Sequence, residues 1–313
     1  MTPRLGVRIG KMALANPVMV ASGTFGYAEE FKDFFPPAML GALVTKTVTL
    51  RPRQGNIPPR TCETPAGMLN SVGLENPGIE AFLKEKLPML KKFGPPVILS
   101  IASEGGAEEF VELARRTQGI KEISALELNI SCPNIKITRP PGRQAAKMIS
   151  QDAGETFKLV KAVRKVWQKT LITKLSPNVT CIADIASAAE RAGSDALSLI
   201  NTIAGMSIDV RTRKPKLGAV SGGLSGPAIR PVAVRMVREV YACVRIPLIG
   251  MGGIVDLPSA LEFFIAGATC VSIGTASFVN PALPAALIKG LRRYLIQNRI
   301  QDIRSLIGSL KIS

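Results

Sequence analysis

The stretch PLIGMGGIVDLPSALEFFIAGATCVSIGT, residues 247–275, decides the fold. It holds two short apolar runs, PLIGMGG at 247–253 and CVSIGT at 270–275, each closing on glycine. The runs are continuous rather than alternating, which is the pattern of parallel strands buried on both faces. Six more such runs precede them: VMVAS (18–22), ALVTK (42–46), VILSI (97–101), ALELN (125–129), LITKL (171–175) and ALSLIN (196–201). Between most of them lie amphipathic stretches, among them 106–119, 154–168, 182–193 and 226–241. Their apolar residues recur at three and four, so they read as helices. Eight strands alternating with helices point to an α/β fold, a (β/α)8 TIM barrel, as one domain over residues 1–313. A doubly wound open sheet is the alternative, but eight units in about 250 residues suit the barrel better. The leading segment LGVRIGKMALANP reads as an N-terminal hairpin closing the barrel bottom. The connections after Lys46, Asn129 and Asn201 are too long for simple loops. At the C-terminal face of a barrel they predict a lid over a ligand.

Composition narrows the chemistry. The chain has no histidine, which excludes a Ser-His-Asp triad, a His-ligated metal and an imidazole base. Proton transfer falls to Cys, Lys, Tyr or a carboxylate, and no metal site is expected. The net charge is +17, yet the basic residues are spread along the chain and aromatics make up only 5%. Nucleic acid is therefore not the expected partner, and the charge suits anionic ligands. The five cysteines, Cys62, Cys132, Cys181, Cys243 and Cys270, are odd in number and far apart. They predict neither a disulfide framework nor an iron–sulfur cluster on this chain. Without a signal-type leader or an apolar run of membrane length, a soluble, cytoplasmic protein is expected.

GMGGI after the seventh strand and GTAS after the eighth place glycines where backbone N–H groups can approach a phosphate. Gly226, in GGLSGPAI, adds a further N–H at the preceding helix start. Lys46 and Lys174 each end a strand. One such lysine alone would be read as snorkelling to solvent. Two beside a phosphate site fit a flavin, whose reduced N1–C2=O edge carries negative charge. Asn129 and Asn201 end the fourth and sixth strands, and amides that both donate and accept suit an imide-like ring. Cys132 lies three residues beyond Asn129, among basic residues. A lowered thiol pKa there would make it a usable base.

The motifs NPVMVASGTFG (16–26), GALVTKTVTLRPRQGN (41–56), ETPAGMLNSVGLENPG (63–78) and ELNISCPN (127–134) extend through most of the chain. KLSPNVT (174–180), NTIAGMSID (201–209), GGLSGPAI (222–229) and GMGGI continue them. Together they resemble the class 1 dihydroorotate dehydrogenases, most of all the class 1B catalytic subunit that carries FMN. The resemblance implies oxidation of (S)-dihydroorotate to orotate in pyrimidine biosynthesis. It makes Cys132 the base at C5 and flavin N5 the acceptor of the C6 hydride. Lys46, Asn70, Ser71, Val72, Gly73, Leu74, Asn129, Asn201 and Thr202 would hold the substrate. Ser22, Lys46, Thr47, Ser100, Asn129, Lys174 and Ile200 would surround the isoalloxazine and ribityl chain. Gly226, Gly252, Gly253, Gly274 and Thr275 would cradle the phosphate.

The sequence departs from the family in two places. Ser100 stands where an asparagine is usual, and the stretch after Cys132 is longer and more basic than the usual lid. Class 1B implies a homodimer that passes electrons to NAD+ through a partner subunit with FAD and a [2Fe–2S] cluster. The alternatives are a class 1A enzyme that reduces fumarate and a dihydropyrimidine dehydrogenase-like flavin barrel. A nucleic-acid-binding barrel and a Schiff-base aldolase are more distant, since neither uses Cys132 together with the asparagines.

Overall fold

The computed structural model describes residues 2–103, 105–131 and 149–312. The eight apolar runs form a closed parallel barrel: β1 Val18–Val20, β2 Ala42–Val44, β3 Val97–Ile101, β4 Ile123–Asn129, β5 Thr170–Lys174, β6 Ala196–Leu199, β7 Leu248–Gly250 and β8 Cys270–Ile273. Each strand pairs with its neighbours in sequence, and β8 closes the ring on β1 through Val271↔Val18. Every residue of these strands is buried except Ser124, which is half-buried. That is why the runs lack alternation: one face packs inward and the other under helices.

The register sets which polar residues share the interior. Ser100 pairs with Glu127, Asn129 with Lys174 and Ser198 with Lys174. Side chains in register on neighbouring strands point to the same side of a sheet. A serine pair, a glutamate, an asparagine and a lysine therefore project into the upper barrel.

The helices are α1 (residues 78–93, with a π-turn at Phe82–Lys86), α2 Ala107–Gln118, α3 Ala153–Val166, α4 Ile182–Arg191, α5 Arg230–Cys243, α6 Leu257–Ala266, the short α7 Ala276–Val279 and α8 Leu283–Gln297. In α2 the buried residues are Phe110, Leu113, Ala114 and Thr117, the spacing expected of one apolar stripe. A fully buried Leu or Phe contributes about 1.5–3 kcal/mol. Asp152 caps α3 by accepting from the Glu155 N–H, and Asp256 caps α6 in a reciprocal box with Ser259. Ser259 hydrogen bonds hold the Asp256 carboxyl below the usual carboxylate range. No full helix links β1 to β2. Two 3-10 turns, Glu29–Phe31 and Pro37–Met39, take its place, with Phe25 stacked on Phe31 at 4.1 Å.

The N-terminal hairpin pairs Val7–Ile9 with Met12–Leu14. Its turn covers the N-terminal end of the barrel: the Lys11 N–H donates to Thr170 Oγ1 at 3.0 Å, at the start of β5. At the opposite end, the long connections after β2 and β6 meet in one antiparallel sheet. Its strand order is Ile203–Gly205, Gly222–Ser225, Gly67–Asn70, Thr61–Thr64. Among the described residues no helix is long and apolar enough to cross a membrane.

Candidate active site

A cavity of about 1080 Å³ opens at the C-terminal ends of the strands, between the barrel rim and this sheet. Such placement follows from the fold, because the strand-to-helix connections converge there.

One end of the cavity is made of backbone. Gly252 and Gly253 follow β7 with φ of 124° and 82°, and Gly226 has φ 93°. A Cβ on Gly253 would stand 2.8 Å from the Gly226 carbonyl, so the two turns touch only because neither has a side chain. Thr275 Oγ1 donates to Ser225 Oγ at 2.7 Å and ties the β8 turn to the same corner. Among the described residues the N–H groups of Gly252, Gly253 and Thr275 have no protein acceptor. Unpaired N–H groups lining a cavity beside a glycine turn can accept an anion such as a phosphate.

The floor is charged and polar. Lys174 is only 4% exposed, and its Nζ donates to Ser22 Oγ at 3.1 Å. Among the described residues no carboxylate pairs with it. A desolvated ammonium with only a hydroxyl partner is costly on its own and fits an anionic ligand. Lys46 lines the same cavity. Asn129 donates from Nδ2 to Thr47 Oγ1 at 3.1 Å. Asn201 donates to Ser131 Oγ at 2.9 Å and accepts from the Thr202 N–H at 2.8 Å. The two amides are thus knitted through Ser131, whose hydroxyl donates to Asn129 Oδ1 at 3.3 Å. The peptide bond between Leu199 and Ile200 is cis, and Ile200 also faces the cavity.

Of the residues singled out in the sequence, Ser22, Lys46, Thr47, Asn70, Val72, Gly73, Leu74, Asn129, Lys174, Ile200, Asn201 and Thr202 line this one cavity. Gly226, Gly252, Gly253, Gly274 and Thr275 line its glycine-rich end. Two others stand behind the wall. Ser71 is buried and accepts from Asn56 Nδ2 at 2.8 Å, so the stretch 70–74 turns one residue away from the ligand space. Ser100 is fully buried and bridges Thr47 and the Glu127 carboxylate, at 3.0 Å to each. Its short hydroxyl stays inside the barrel wall. Cys132, with the basic stretch after it to residue 148, lies outside the described residues.

Sequence reasoning missed Glu127, Ser131, Ser225 and the cavity-lining Glu63, Met68 and Phe278. Glu127 had a signal: a glutamate inside a continuous apolar strand, two residues before Asn129, must share its inward face. Among the other cysteines, Cys270 is fully buried in β8, and burial pushes its thiol up, away from any role as a base. Among the described residues no cluster of three Cys, Asp or Glu is placed to hold a metal.

Comparison with known proteins agrees with the geometry. The family model described as dihydroorotate dehydrogenase matches residues 4–295. The chain is 50% identical over 311 residues to the dihydroorotate dehydrogenase B (NAD(+)), catalytic subunit, of Trichlorobacter lovleyi, covering 99% of this chain and 100% of that one. It is 51% identical over 309 residues to the protein of the same name from Desulforudis audaxviator, covering 99% and 98%. The corresponding protein of Thermoanaerobacter pseudethanolicus is 50% identical over 308 residues, covering 98% and 99%. A barrel whose mouth gathers a glycine cradle, two lysines and paired asparagines, matched along nearly its whole length by these relatives, belongs to the dihydroorotate dehydrogenase family.

Proposed function

We propose that the chain is the catalytic subunit of an NAD+-linked dihydroorotate dehydrogenase, which holds FMN and oxidises (S)-dihydroorotate to orotate in pyrimidine biosynthesis. The observation that carries this reading is the division of the cavity. One end offers unpaired N–H groups on Gly252, Gly253 and Thr275, and the floor offers a buried ammonium beside two interlocked amides.

The residues present fit FMN. The glycine corner would hold its phosphate, where a Cβ would fill the space. Lys174 and Ser22 would hold its ring edge, and Thr47 and Ile200 would bound its faces. When bound, FMN supplies at N5 the acceptor for the hydride that leaves C6 of the substrate.

The chain's own residues supply binding and proton transfer. Lys46 neutralises the substrate carboxylate, and Asn70 with Val72, Gly73 and Leu74 closes one side. Asn129 and Asn201 polarise the ring carbonyls, which makes the C5 proton, α to a carbonyl, removable. Cys132 takes that proton. Ser131, one residue before it in sequence, is buried and hydrogen bonded to both asparagines. The sheet built from 61–70 and 203–225 roofs the cavity and keeps water from the reacting carbons.

A partner subunit carrying FAD and a [2Fe–2S] cluster would supply the path for electrons to NAD+, with this chain as a homodimer at the centre. The designation "catalytic subunit" shared by the relatives supports a partner. The cysteine spacing leaves the cluster to that partner, not to this chain.

The test is anaerobic. L-dihydroorotate added to the flavin-loaded chain should bleach the visible flavin band. NAD+ should restore it only when the partner subunit is present. A flavin that stays oxidised refutes the substrate assignment, and rapid reoxidation by fumarate refutes the NAD+ link.

A further inference from the structure

Glu127 and Ser100 do not line the cavity, yet a line of hydrogen bonds through Thr47 joins them to Asn129, which does. Glu127 is 2% exposed, and both carboxylate oxygens accept from serine hydroxyls: Ser100 at 3.0 Å on Oε1 and Ser198 at 2.9 Å on Oε2. Among the described residues no lysine or arginine comes within ion-pair distance of it. Instead, the register places Lys174 beside Ser198 and Asn129 on the same inward face.

The direction of the next bonds follows by counting protons. Ser100 has one hydroxyl hydrogen, and it is spent on the carboxylate. The 3.0 Å contact between Ser100 Oγ and Thr47 Oγ1 must therefore carry the Thr47 hydrogen. Thr47 Oγ1, having donated, accepts from Asn129 Nδ2 at 3.1 Å. The Ser100 bond to Glu127 at the far end thus sets every donor along the line. Asn129 must point its NH2 toward Thr47 and its Oδ1 toward Ser131 and Asn201. A flipped Asn129 would set its Oδ1 against Thr47 and its Nδ2 against that of Asn201.

We propose that Glu127 and Ser100 are positioning residues, which fix the Asn129 amide in one orientation through the Ser100–Thr47 relay and so select a ligand that offers Asn129 a hydrogen-bond acceptor. This rests on the functional reading above for the ligand's identity, taken here as orotate. It also gives Ser100 a task consistent with its place behind the cavity wall. A serine there passes a direction along the relay and makes no contact of its own with a flavin.

The experiment compares flavin-loaded wild type with Ser100→Ala, Glu127→Gln, the double variant and Ser198→Ala. The readouts are orotate affinity by equilibrium dialysis, flavin content per chain, and KM against kcat for dihydroorotate. Ser198 touches the same carboxylate but is not in the relay, so it reports what merely disturbing the buried glutamate does. Ser100→Ala should weaken orotate about 10-fold, the scale of a hydrogen bond to a charged group. Glu127→Gln can still accept from Ser100 through Oε1 while its NH2 faces Ser198, so it should weaken orotate by no more than Ser100→Ala does. The double variant should be no worse than Ser100→Ala by more than about two-fold, because both act through one chain of bonds. Ser198→Ala should stay within about two-fold of wild type, and flavin content should be unchanged throughout.

Ser100→Ala binding orotate like wild type overturns the proposal, as does Ser198→Ala weakening it by the same factor. If Glu127→Gln does not fold, the Ser100→Ala and Ser198→Ala pair still decides. Wild type that binds flavin but no orotate refutes the functional reading first, and the proposal with it.

Discussion

Replacing Gly253 by alanine tests the glycine corner on two independent scales. The backbone φ there is 82°, in the left-handed region, and an L side chain held in that region costs about 1–3 kcal/mol. The added Cβ would also lie 2.8 Å from the Gly226 carbonyl oxygen and 2.7 Å from the Arg230 Cβ. The first of these is backbone and cannot rotate away, so the β7 turn and the Gly226 turn must separate. Stability should fall by a few kcal/mol, or several degrees in Tm. Phosphate binding should fall further, because the Gly253 N–H leaves its place. Losing one charge-assisted hydrogen bond is worth about 1.5–3 kcal/mol, which is about 10- to 100-fold in FMN affinity. Gly274→Ala separates the two effects. Its Cβ would meet Ala21 Cβ at 3.8 Å and Thr24 Cγ2 at 3.9 Å, ordinary contacts, and its φ is not in the left-handed region. It should melt within about a degree of wild type, yet still bind FMN more weakly if the phosphate packs on that turn. Melting can be followed by Trp167, the sole tryptophan, which is buried and donates from Nε1 to the Thr170 carbonyl at the opposite end of the barrel. FMN affinity is read by titrating apo-protein and following flavin fluorescence. A Gly274→Ala variant with wild-type FMN affinity refutes the phosphate placement, and a Gly253→Ala variant with wild-type Tm refutes the strain argument.

Three further outcomes are expected. Lys174→Met removes a buried ammonium with one hydroxyl partner; the apo-protein should be as stable as wild type or more so by about 1 kcal/mol, while calorimetric titration shows FMN binding at least about 10-fold weaker. Cys132→Ala should slow flavin reduction by dihydroorotate in stopped flow about 100- to 10,000-fold while orotate still binds; reduction at the wild-type rate would exclude Cys132 as the base. Asp256→Ala deletes the carboxylate half of the α6 capping box, leaving the backbone N–H of residue 256 on Ser259 Oγ, and should cost about 1 kcal/mol in denaturant unfolding at neutral pH. The Asp256 carboxyl is held below its ordinary value by the folded state, so its contribution is complete above the unfolded carboxylate range and fades as pH falls through the lower folded value. The gap between wild type and Asp256→Ala should therefore narrow in acid, and a gap that widens there would contradict this.

All eight strands were legible because both faces of a parallel barrel strand are buried, so its sequence is apolar without interruption. The N-terminal hairpin was legible from its glycine turn. The connections after β2 and β6 were visible only as long segments. Their strands are two to four residues each, and Thr61–Thr64 is half exposed, too short and too polar to carry a period. The site residues at strand ends, Lys46, Asn129, Lys174 and Asn201, were legible for the opposite reason: polar residues stand out where an apolar run stops. Ser71 and Ser100 fall behind the cavity wall, and no motif distinguishes a side chain facing a ligand from one facing the next strand. That distinction comes from register, which put Ser100 opposite Glu127.

The roof sheet has a mechanical consequence. Its outer pairs come from single connections, but the central pair, Gly67–Asn70 with Gly222–Ser225, joins the loop leaving β2 to the loop leaving β6, on opposite sides of an eight-strand ring. It works as a tie-beam across an arch. Neither loop can swing outward without dragging the other, so the entrance on this side widens as a unit or not at all. The beam also transmits length errors: inserting one residue in either central strand would swap the inward and outward faces of the pair and turn Asn70 away from the cavity. Two segments separated by about half the chain must therefore change length together.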